Sequence, residues 1–255
     1  MTRSAASLCG GWTGILSPHS RPPGGRGVPN EESTDTVDGL IRFLRSHRWA
    51  RRGLSALSIA LLLGAVGLLG YPVYTNYQHD RLQDRLGNQF ASERLQQAYR
   101  NRSVADGDPL TRIQIPALGV DTVVVQGTSP SGLRAGAGHY PNTPLPCESG
   151  NMAIAGHRTT FGKPFANIDQ LKPGDVITLL TPIGKCTYEV AAAPSPFRLG
   201  PGMAAGFVVG PDDFRVIDQD PSVSEITLTT CHPKGSAAQR LVIRGKQVTG
   251  KAGTG

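Results

Sequence analysis

The chain has 255 residues, a formal net charge of +7, and many Gly and Pro residues in its N-terminal fifth. This length suits one domain with appendages. Residues 1–30 contain few apolar side chains, so burial there cannot offset the entropy lost on ordering the chain. The composition therefore excludes a packed core in this segment. We expect residues 1–52 to form a basic, largely disordered cytoplasmic tail.

A membrane span is predicted next. The stretch from Leu54 to Val73 contains no charged residue, and about 20 such residues cross a bilayer as a helix. Five arginines precede this stretch, and three tyrosines suited to the membrane interface lie near its end: Arg42, Arg45, Arg48, Arg51, Arg52, Tyr71, Tyr74 and Tyr77. The positive-inside rule then places the N-terminus in the cytoplasm and the remainder of the chain outside the cell membrane. We expect a single-pass signal anchor over residues 53–74.

This basic and apolar segment has two alternative interpretations. A cleaved signal peptide has a shorter lead and a small-x-small site after its apolar core, and the sequence after Tyr74 offers no such site. A cluster of arginines can also bind nucleic acid. Its position beside an apolar span favours anionic lipid headgroups instead. We therefore expect a membrane, and no nucleic acid, as its partner.

A polar, charged segment follows the span. Leu82, Leu86 and Leu95 lie at loosely helical spacing among Arg, Gln, Asp and Glu. We expect residues 75–105 to form a helical or flexible extracytoplasmic stalk that holds a domain away from the bilayer.

Residues 106–250 are predicted to form an all-β domain large enough to bury its own core. Short apolar runs alternate with Gly and Pro turn signals. They predict eight strands: Thr111–Ile115, Thr122–Val125, Met152–Ala155, Asp175–Leu180, Thr187–Ala191, Phe214–Ile217, Glu225–Thr230 and Leu241–Arg244. One short helix is predicted at Phe165–Leu171. This strand count is typical of a closed barrel or a sandwich, and periodicity does not choose between them.

Cys231 is a candidate nucleophile, because it ends a predicted strand and precedes a polar, basic loop. Nearby positive charge favours the thiolate over the thiol. An inert buried cysteine, or one half of a disulfide, is the ordinary alternative for such a residue.

Two further residues are candidates for the same site. His157 also ends a predicted strand, and an imidazole exchanges protons near neutral pH. Arg240 begins the strand one hairpin after Cys231, so antiparallel pairing would bring the two together. A guanidinium there could donate hydrogen bonds to a developing oxyanion. Taken singly, the histidine could be structural and the arginine a surface charge.

Together these residues resemble the sortase family. Thr-Leu-Thr-Thr-Cys at 227–231 is similar to the family's TLxTC motif, and Arg240 follows the cysteine by nine residues, as the family's active-site arginine does. Ala-Gly-His-Arg at 155–158 is similar to the segment of the catalytic histidine. The resemblance covers residues 111–247. Longer stretches resemble class E, the actinobacterial housekeeping-type sortases: 138–141, 155–165 and 230–240.

This resemblance implies an eight-stranded sortase β-barrel with short helices, and a cysteine transpeptidase activity. A sorting signal, LAxTG or LPxTG-like, would be cleaved between Thr and Gly through a thioester on Cys231. His157 would serve as acid and base, and Arg240 would stabilise the oxyanion. The implied partners are secreted proteins that carry the signal and a cell-wall precursor amine such as lipid II.

No cofactor or metal is expected. The domain lacks zinc-finger spacing and an EF-hand loop. It also lacks an acidic cluster like the calcium site that some class A sortases use.

Three residues are predicted to contact substrate. Tyr140 is the candidate for the tyrosine that class E links to an altered sorting signal, although a core aromatic is the alternative. His139 precedes it in Gly-His-Tyr-Pro, and Thr230 precedes the nucleophile. An ordinary β-branched strand residue is the alternative for Thr230. His232 is interpreted as a loop residue.

Cys147 and Cys186 both lie in the extracytoplasmic part, where disulfides persist. One precedes a predicted strand and the other begins one, so we predict that they pair and leave Cys231 free. Two unpaired thiols are the alternative. Cys9 lies in the tail and is expected to be a free thiol.

Two other functions are compatible with a membrane-tethered β domain. An L,D-type envelope transpeptidase resembles Ser-x-Gly-Cys at its nucleophile, whereas here the cysteine follows Leu-Thr-Thr. A non-catalytic domain that binds envelope components would have a buried, unreactive thiol at Cys231.

Overall fold

The computed structural model of the chain describes residues 32–194 and 202–249. These ranges contain three α-helices: α1 Glu32–Ser46, α2 Arg48–Phe90 and α3 Glu93–Arg100. They also contain nine strands: β1 Pro109–Ile115, β2 Val120–Gln126, β3 Ala137–His139, β4 Gly150–Gly156, β5 Val176–Thr181, β6 Gly184–Val190, β7 Phe207–Val209, β8 Ser224–His232 and β9 Gln239–Thr249. Four 3₁₀ helices connect them: Pro116–Leu118, Gly132–Ala135, Ile168–Gln170 and Phe214–Ile217.

The chain divides into two compact units, residues 1–61 and 62–255. In the first unit, α1 forms within the tail that composition predicted to be largely disordered. Apolar residues at 37, 40, 41 and 44 follow the helical period, which explains why this part adopts a helix. The predicted disorder of residues 1–30 and the predicted free thiol of Cys9 lie outside the described residues.

Helix α2 contains the candidate membrane span. In the part of the chain that the structure describes, it is the one helix long and apolar enough to cross a bilayer. Its most apolar window has a mean hydropathy of 2.1, and none of that window is buried. These properties indicate a membrane anchor near the N-terminus. The helix also continues without a break to Phe90, so a large part of the predicted stalk is helical.

The second unit is built around a closed barrel. Its strands follow the order β6-β5-β1-β2-β3-β4-β8-β9, and β9 pairs back with β6. Strand β9 has 11 residues, which is long enough for one edge to pair with two strands. Its beginning pairs with β7 and its end pairs with β6. The predicted closed barrel of eight strands is therefore confirmed, with β7 as an added strand outside the ring.

Alternating residues of the strands fill the barrel. Ile226 and Leu228 of β8, and Leu241 and Ile243 of β9, belong to one buried cluster. The residues between them point to the outer face, because side chains alternate along a strand. The catalytic candidates can therefore be assigned to a face from their position relative to these core residues.

Three local predictions differ from the structure. Phe214–Ile217, predicted as a strand, is a 3₁₀ helix, since a short apolar run does not by itself distinguish the two. Strand β3 was not predicted, because Ala-Gly-His has little β propensity. Strand β7 was also missed. It has β-forming residues but only three of them.

The later part of α2 packs against the barrel within the second unit. Leu86 is buried in a cluster with Val123, Val125 and Ala135. Gln83 accepts a hydrogen bond from the amide of Val123 at 2.7 Å and donates to the carbonyl of Ala135 at 2.7 Å. These contacts fix the helix against β2 and the segment before β3.

Candidate active site

The pairing of β4 with β8 brings His157 beside Cys231. The two strands are parallel, and their ladder runs to the pair Ala155 and Thr229. One residue further, the Thr230 hydroxyl donates to the carbonyl oxygen of Gly156 at 2.7 Å. Continued two residues beyond the last pair of the ladder, the same register sets His157 opposite Cys231. Both strands end at this edge of the barrel, so the two side chains emerge together.

The pairing of β8 with β9 brings Arg240 to the same edge of the barrel. In this antiparallel pair, Cys231 lies directly opposite Arg240. Neighbouring strands are about 4.8 Å apart, so the three backbones occupy consecutive positions across the sheet. His157, Cys231 and Arg240, far apart in sequence, therefore share one edge of the barrel.

The three side chains also share a face. Cys231 alternates with the core residue Leu228 and the inward-facing Thr230, so it points outward. Arg240 precedes the core residue Leu241, and His157 is placed outward by the same alternation from Ile154. Among the described cysteines, Cys231 is the one that is free, and it is partly exposed.

The guanidinium of Arg240 is held by its own loop. Its Nη1 donates to the carbonyl oxygens of Ala237 at 2.9 Å and Gln239 at 3.1 Å. Both bonds are exposed, and two main-chain acceptors leave other N–H groups of the guanidinium available. The arginine is thus anchored near the nucleophile while keeping donors for a ligand.

His157 is supported on both sides by main-chain bonds. Its amide donates to the carbonyl of Gly136 at 3.0 Å, and its carbonyl accepts from the amide of Phe165 at 3.1 Å. Its imidazole packs against the ring of Phe161, with centroids 5.2 Å apart. Burial lowers the pKa of His157, and the charge of His79 lowers it further. The neutral imidazole is therefore favoured at rest.

Arg158 is a residue of this site to which the sequence assigned no role. It is 4% exposed. Its Nη1 donates to the carbonyl of Cys231 at 3.2 Å and lies 2.9 Å from Nδ1 of His232. Its Nη2 pairs with Asp169 at 3.1 Å. Arg158 therefore joins the ends of β4 and β8 beneath the candidate nucleophile. The sequence feature that could have indicated a role for Arg158 in the site is its position directly after His157.

His232 takes part in this network. Burial lowers its pKa, and the charge of Arg158 lowers it further, while Asp169 opposes both effects. Because its Nδ1 faces a guanidinium that can only donate, that nitrogen must be the acceptor. His232 belongs to the end of β8 rather than to the loop in which it was predicted.

Tyr140 lies on the outer face near the nucleophile. Its hydroxyl is 3.0 Å from Oγ1 of Thr229, and Thr229 is on the same face as Cys231, two residues away. The amide of Tyr140 donates to the carbonyl of Ala153 at 3.0 Å. The tyrosine is half-buried, so part of its side chain remains accessible to solvent.

The side chains of Thr230 and His139 do not lie on the outer face with Cys231. The Thr230 hydroxyl faces inward and bonds to Gly156, so it supports the end of β4. His139 is completely buried. Its Nδ1 is 3.0 Å from the side chain of Gln126, and its Nε2 is 2.9 Å from the carbonyl of Pro144. Burial lowers its pKa to about 4. This geometry does not favour their predicted contacts with substrate.

Cys147 and Cys186 are joined by a disulfide, with their Cα atoms 5.5 Å apart. Both cysteines are buried in the core, and the hydroxyl of Tyr188, 3.7 Å from the sulfur of Cys186, accepts from the amide of Cys147 at 3.3 Å. Burial raises the pKa of Tyr188 to about 12, so the hydroxyl stays neutral. No group of three or more potential metal ligands occurs within residues 32–194 and 202–249.

Comparison with known proteins identifies the family of this chain. The family described as Sortase domain matches residues 113–248. Sortase D of Bacillus subtilis is 32% identical over 140 residues, which are 54% of this chain and 63% of that protein. Sortase SrtE1 of Streptomyces coelicolor is 32% identical over 160 residues, which are 57% of this chain and 42% of that protein. The chain thus spans less than two thirds of the length of these relatives.

Among solved structures, a Clostridium perfringens Sortase D5 transpeptidase is similar to this chain with a TM-score of 0.55 and 27% identity. The match covers 68% of this chain and 99% of that one. The chain belongs to the sortase family, since the family match covers more than half of its residues and includes the whole row of candidate side chains.

Proposed function

We propose that this protein is a membrane-anchored cysteine transpeptidase in which Cys231, His157 and Arg240 are the catalytic residues. One observation supports the proposal: Cys231 pairs with Arg240 in the β8–β9 register, and the β4–β8 register, continued two residues past Ala155 and Thr229, sets His157 opposite Cys231. A thiol, an imidazole and a guanidinium in a row are the groups that acyl transfer through a thioester needs.

In the first step, the Cys231 thiolate attacks the carbonyl carbon of the threonine in the sorting signal. A carbon–sulfur bond forms, and the carbon–nitrogen bond to glycine breaks. The protonated imidazole of His157 donates its proton to the leaving amine, which departs with the C-terminal fragment of the substrate. The remaining part of the substrate is then a thioester on Cys231.

In the second step, an amine of a cell-wall precursor attacks the thioester carbon. His157, now neutral, takes a proton from this amine, and the carbon–sulfur bond breaks as the new amide forms. No electrons are exchanged with a cofactor in either step. The favoured neutral form of His157 suits the base role, and the thiol proton must move to the imidazole before the first step.

The proposed role of Arg240 is to stabilise the oxyanion of each tetrahedral intermediate. Two of its hydrogen bonds go to its own loop, which fixes the position of the guanidinium. Hydrogen-bond donors that are already in place when the negative charge develops need little reorganisation during the reaction. Removal of one such donor lowers kcat about 10²–10³-fold.

We also propose a sortase class and a sorting signal for this protein. The stretches at 138–141, 155–165 and 230–240, together with the similarity to SrtE1, support class E and an origin in Actinobacteria. The Tyr140 hydroxyl beside Thr229 is placed to accept a hydrogen bond from the backbone N–H that alanine has and proline lacks, which supports preference for LAxTG over LPxTG. Lipid II is the proposed amine donor, and secreted proteins with this signal are the proposed substrates.

The proposed location is the cell membrane. Residues 53–74 would form the span, residues 1–52 the cytoplasmic tail, residues 75–105 the stalk and residues 106–250 the extracytoplasmic catalytic domain. The arginines before the span and the tyrosines near its end support this orientation. An extracytoplasmic location also suits the disulfide between Cys147 and Cys186.

The proposal is tested by incubating the full chain in detergent micelles with an LAxTG peptide and an amine, and identifying products by mass spectrometry. The wild type should form the peptide–amine amide. Cys231→Ala should form none, and Arg240→Ala should lose about 10²–10³-fold in kcat. An LPxTG peptide compares the two signals. A wild type that binds the peptide but never cleaves it would favour the non-catalytic binding domain.

A further inference from the structure

The later part of α2 carries a histidine that the proposed chemistry does not use. His79 is half-buried, and its imidazole lies against Gly136 and Gly162. Both glycines have positive φ, at 107° and 69°. A Cβ at either position would collide with the imidazole. The ring therefore occupies space that glycine leaves free at two positions of the barrel.

These two glycines support the candidate catalytic histidine. The carbonyl of Gly136 accepts the hydrogen bond from the amide of His157. Gly162 directly follows Phe161, whose ring packs against the imidazole of His157. His79 thus contacts both segments that determine where the His157 side chain lies.

A second contact fastens the same face of α2 to this loop. Asn76 lies three residues before His79, so the two side chains are neighbours on the helix. Its Oδ1 accepts from the amide of Gly162 at 3.4 Å. The charge of His79 is also one of the causes that lower the pKa of His157, in keeping with the contacts of His79 with the segments on which His157 rests.

We propose that His79 is a positioning residue for His157: from the helix that continues the membrane span, it fixes the main chain on both sides of the imidazole. The inference rests on the proposed transpeptidase function. Misplacement of a catalytic group by about 1 Å can cost as much as 10²-fold in rate, so a support of this kind has a measurable effect. The helix beyond the span then serves as part of the active-site scaffold as well as a stalk.

A packing contact that only adds stability is the alternative. Gln83 provides the matched control, because it lies one turn after His79 and also fastens α2 to the barrel. Its hydrogen bonds go to Val123 and Ala135, away from the loop of Phe161 and Gly162. Gln83→Ala therefore measures a loss of attachment next to Gly136 that leaves the contacts of His79 with Gly136 and Gly162 in place.

The test compares wild type, His79→Ala, His79→Gln and Gln83→Ala as full chains in detergent, with kcat, KM and the thermal midpoint measured for each. His79→Ala should lower kcat about 10-fold with little change in KM. His79→Gln, which keeps a planar polar group, should recover most of the loss. Gln83→Ala should keep kcat near that of the wild type even where its thermal midpoint falls. Equal kcat values in His79→Ala and Gln83→Ala would overturn the proposal.

An NMR readout separates this inference from the proposed function. The His157 ring resonance, assigned with His157→Gln, should shift in His79→Ala and should titrate at higher pH than in the wild type, but not in Gln83→Ala. If the wild type forms no product while this shift occurs, the transpeptidase proposal fails and the contact itself stands. If His79→Ala leaves the His157 resonance and its titration unchanged, the positioning role is wrong.

Discussion

Arg158 places a buried guanidinium against the carbonyl of Cys231 and pairs it with Asp169. Replacement by Met removes the charge and leaves the Asp169 carboxylate and the carbonyl without their donor. We expect Arg158→Met to lose about 3 kcal/mol in the free energy of unfolding, and to lower kcat because the end of β8 is no longer fixed. Arg158→Lys should keep part of both quantities. Urea unfolding and steady-state kinetics measure the two effects.

Arg244 supplies the control for Arg158. It is a partly buried arginine on β9, and it donates to the carbonyl of Val216 at 3.1 Å. Arg244→Met should affect the free energy of unfolding more than kcat. If Arg158→Met and Arg244→Met had the same kcat, the support of Cys231 by Arg158 would be contradicted.

His139 makes the stability depend on pH. Its pKa is about 4 in the folded chain and about 6.5 when unfolded, so the unfolded state binds a proton first as pH falls. Its stabilising contribution is complete above pH 6.5 and is lost progressively down to about pH 4. The shift corresponds to about 3 kcal/mol.

Thermal unfolding at a series of pH values measures this effect. The midpoint should fall between pH 6.5 and 4, and His139→Gln should flatten that part of the curve. An unchanged slope in this variant would show that His139 is not the group responsible.

At the scale of single residues, His157, Cys231 and Arg240 could be proposed together from sequence because each adjoins a predicted strand and matches a sortase motif. It could not assign Thr230 to the inner face, since a one-residue change of register reverses every side chain. It also gave no role to Arg158, because its partners lie 11 and 73 residues away along the chain. A buried ion pair across such distances appears only when the fold is known.

At the scale of elements, the disulfide between Cys147 and Cys186 closes a loop of the barrel, with a sequence separation of 39. The chain-entropy relation predicts a stabilisation of about 4 kcal/mol for a loop of this length. We expect the double variant Cys147→Ser, Cys186→Ser to lose about that much in urea unfolding, while Cys231 is alkylated at the wild-type rate at 25 °C.

Cys231→Ser is the control, because it also removes one thiol but no cross-link. It should unfold at nearly the wild-type urea concentration. A double variant as stable as Cys231→Ser would contradict the stabilising role of the disulfide.

Most strands could be predicted, because alternating apolar runs bounded by Gly and Pro are strong signals. Strand β3 could not be predicted, since its Gly-rich sequence forms a strand only through pairing with β2 and β4. The number of predicted strands agrees with the ring of eight, although Phe214–Ile217 took the place of β3 in that count. The predicted number of strands was thus right, although one of the predicted strands was wrong.

At the scale of the whole molecule, the apolar part of α2 predicts stable attachment to membranes. A charge near the centre of a span costs about 2.5–3.5 kcal/mol on insertion scales. We expect Leu62→Arg combined with Val66→Arg to move the chain from the carbonate-resistant membrane fraction to the soluble fraction. Fractionation followed by immunoblotting measures this change.

The control places two arginines beyond the span. Gln89→Arg with Gln97→Arg adds the same charge at exposed positions and should leave the chain in the membrane fraction. If both double variants behaved alike, total charge rather than the apolar span would determine the location.

The most direct measurement is the intact mass of the full chain, quenched in acid after brief exposure to an LAxTG peptide without an amine. We predict an adduct with the mass of the peptide up to its threonine. This adduct should be released by hydroxylamine and map to Cys231. It should be absent in Cys231→Ala and slow to form in His157→Ala. Cleavage of the peptide without such an adduct, or an adduct on another residue, would contradict the assignment of Cys231 as the nucleophile.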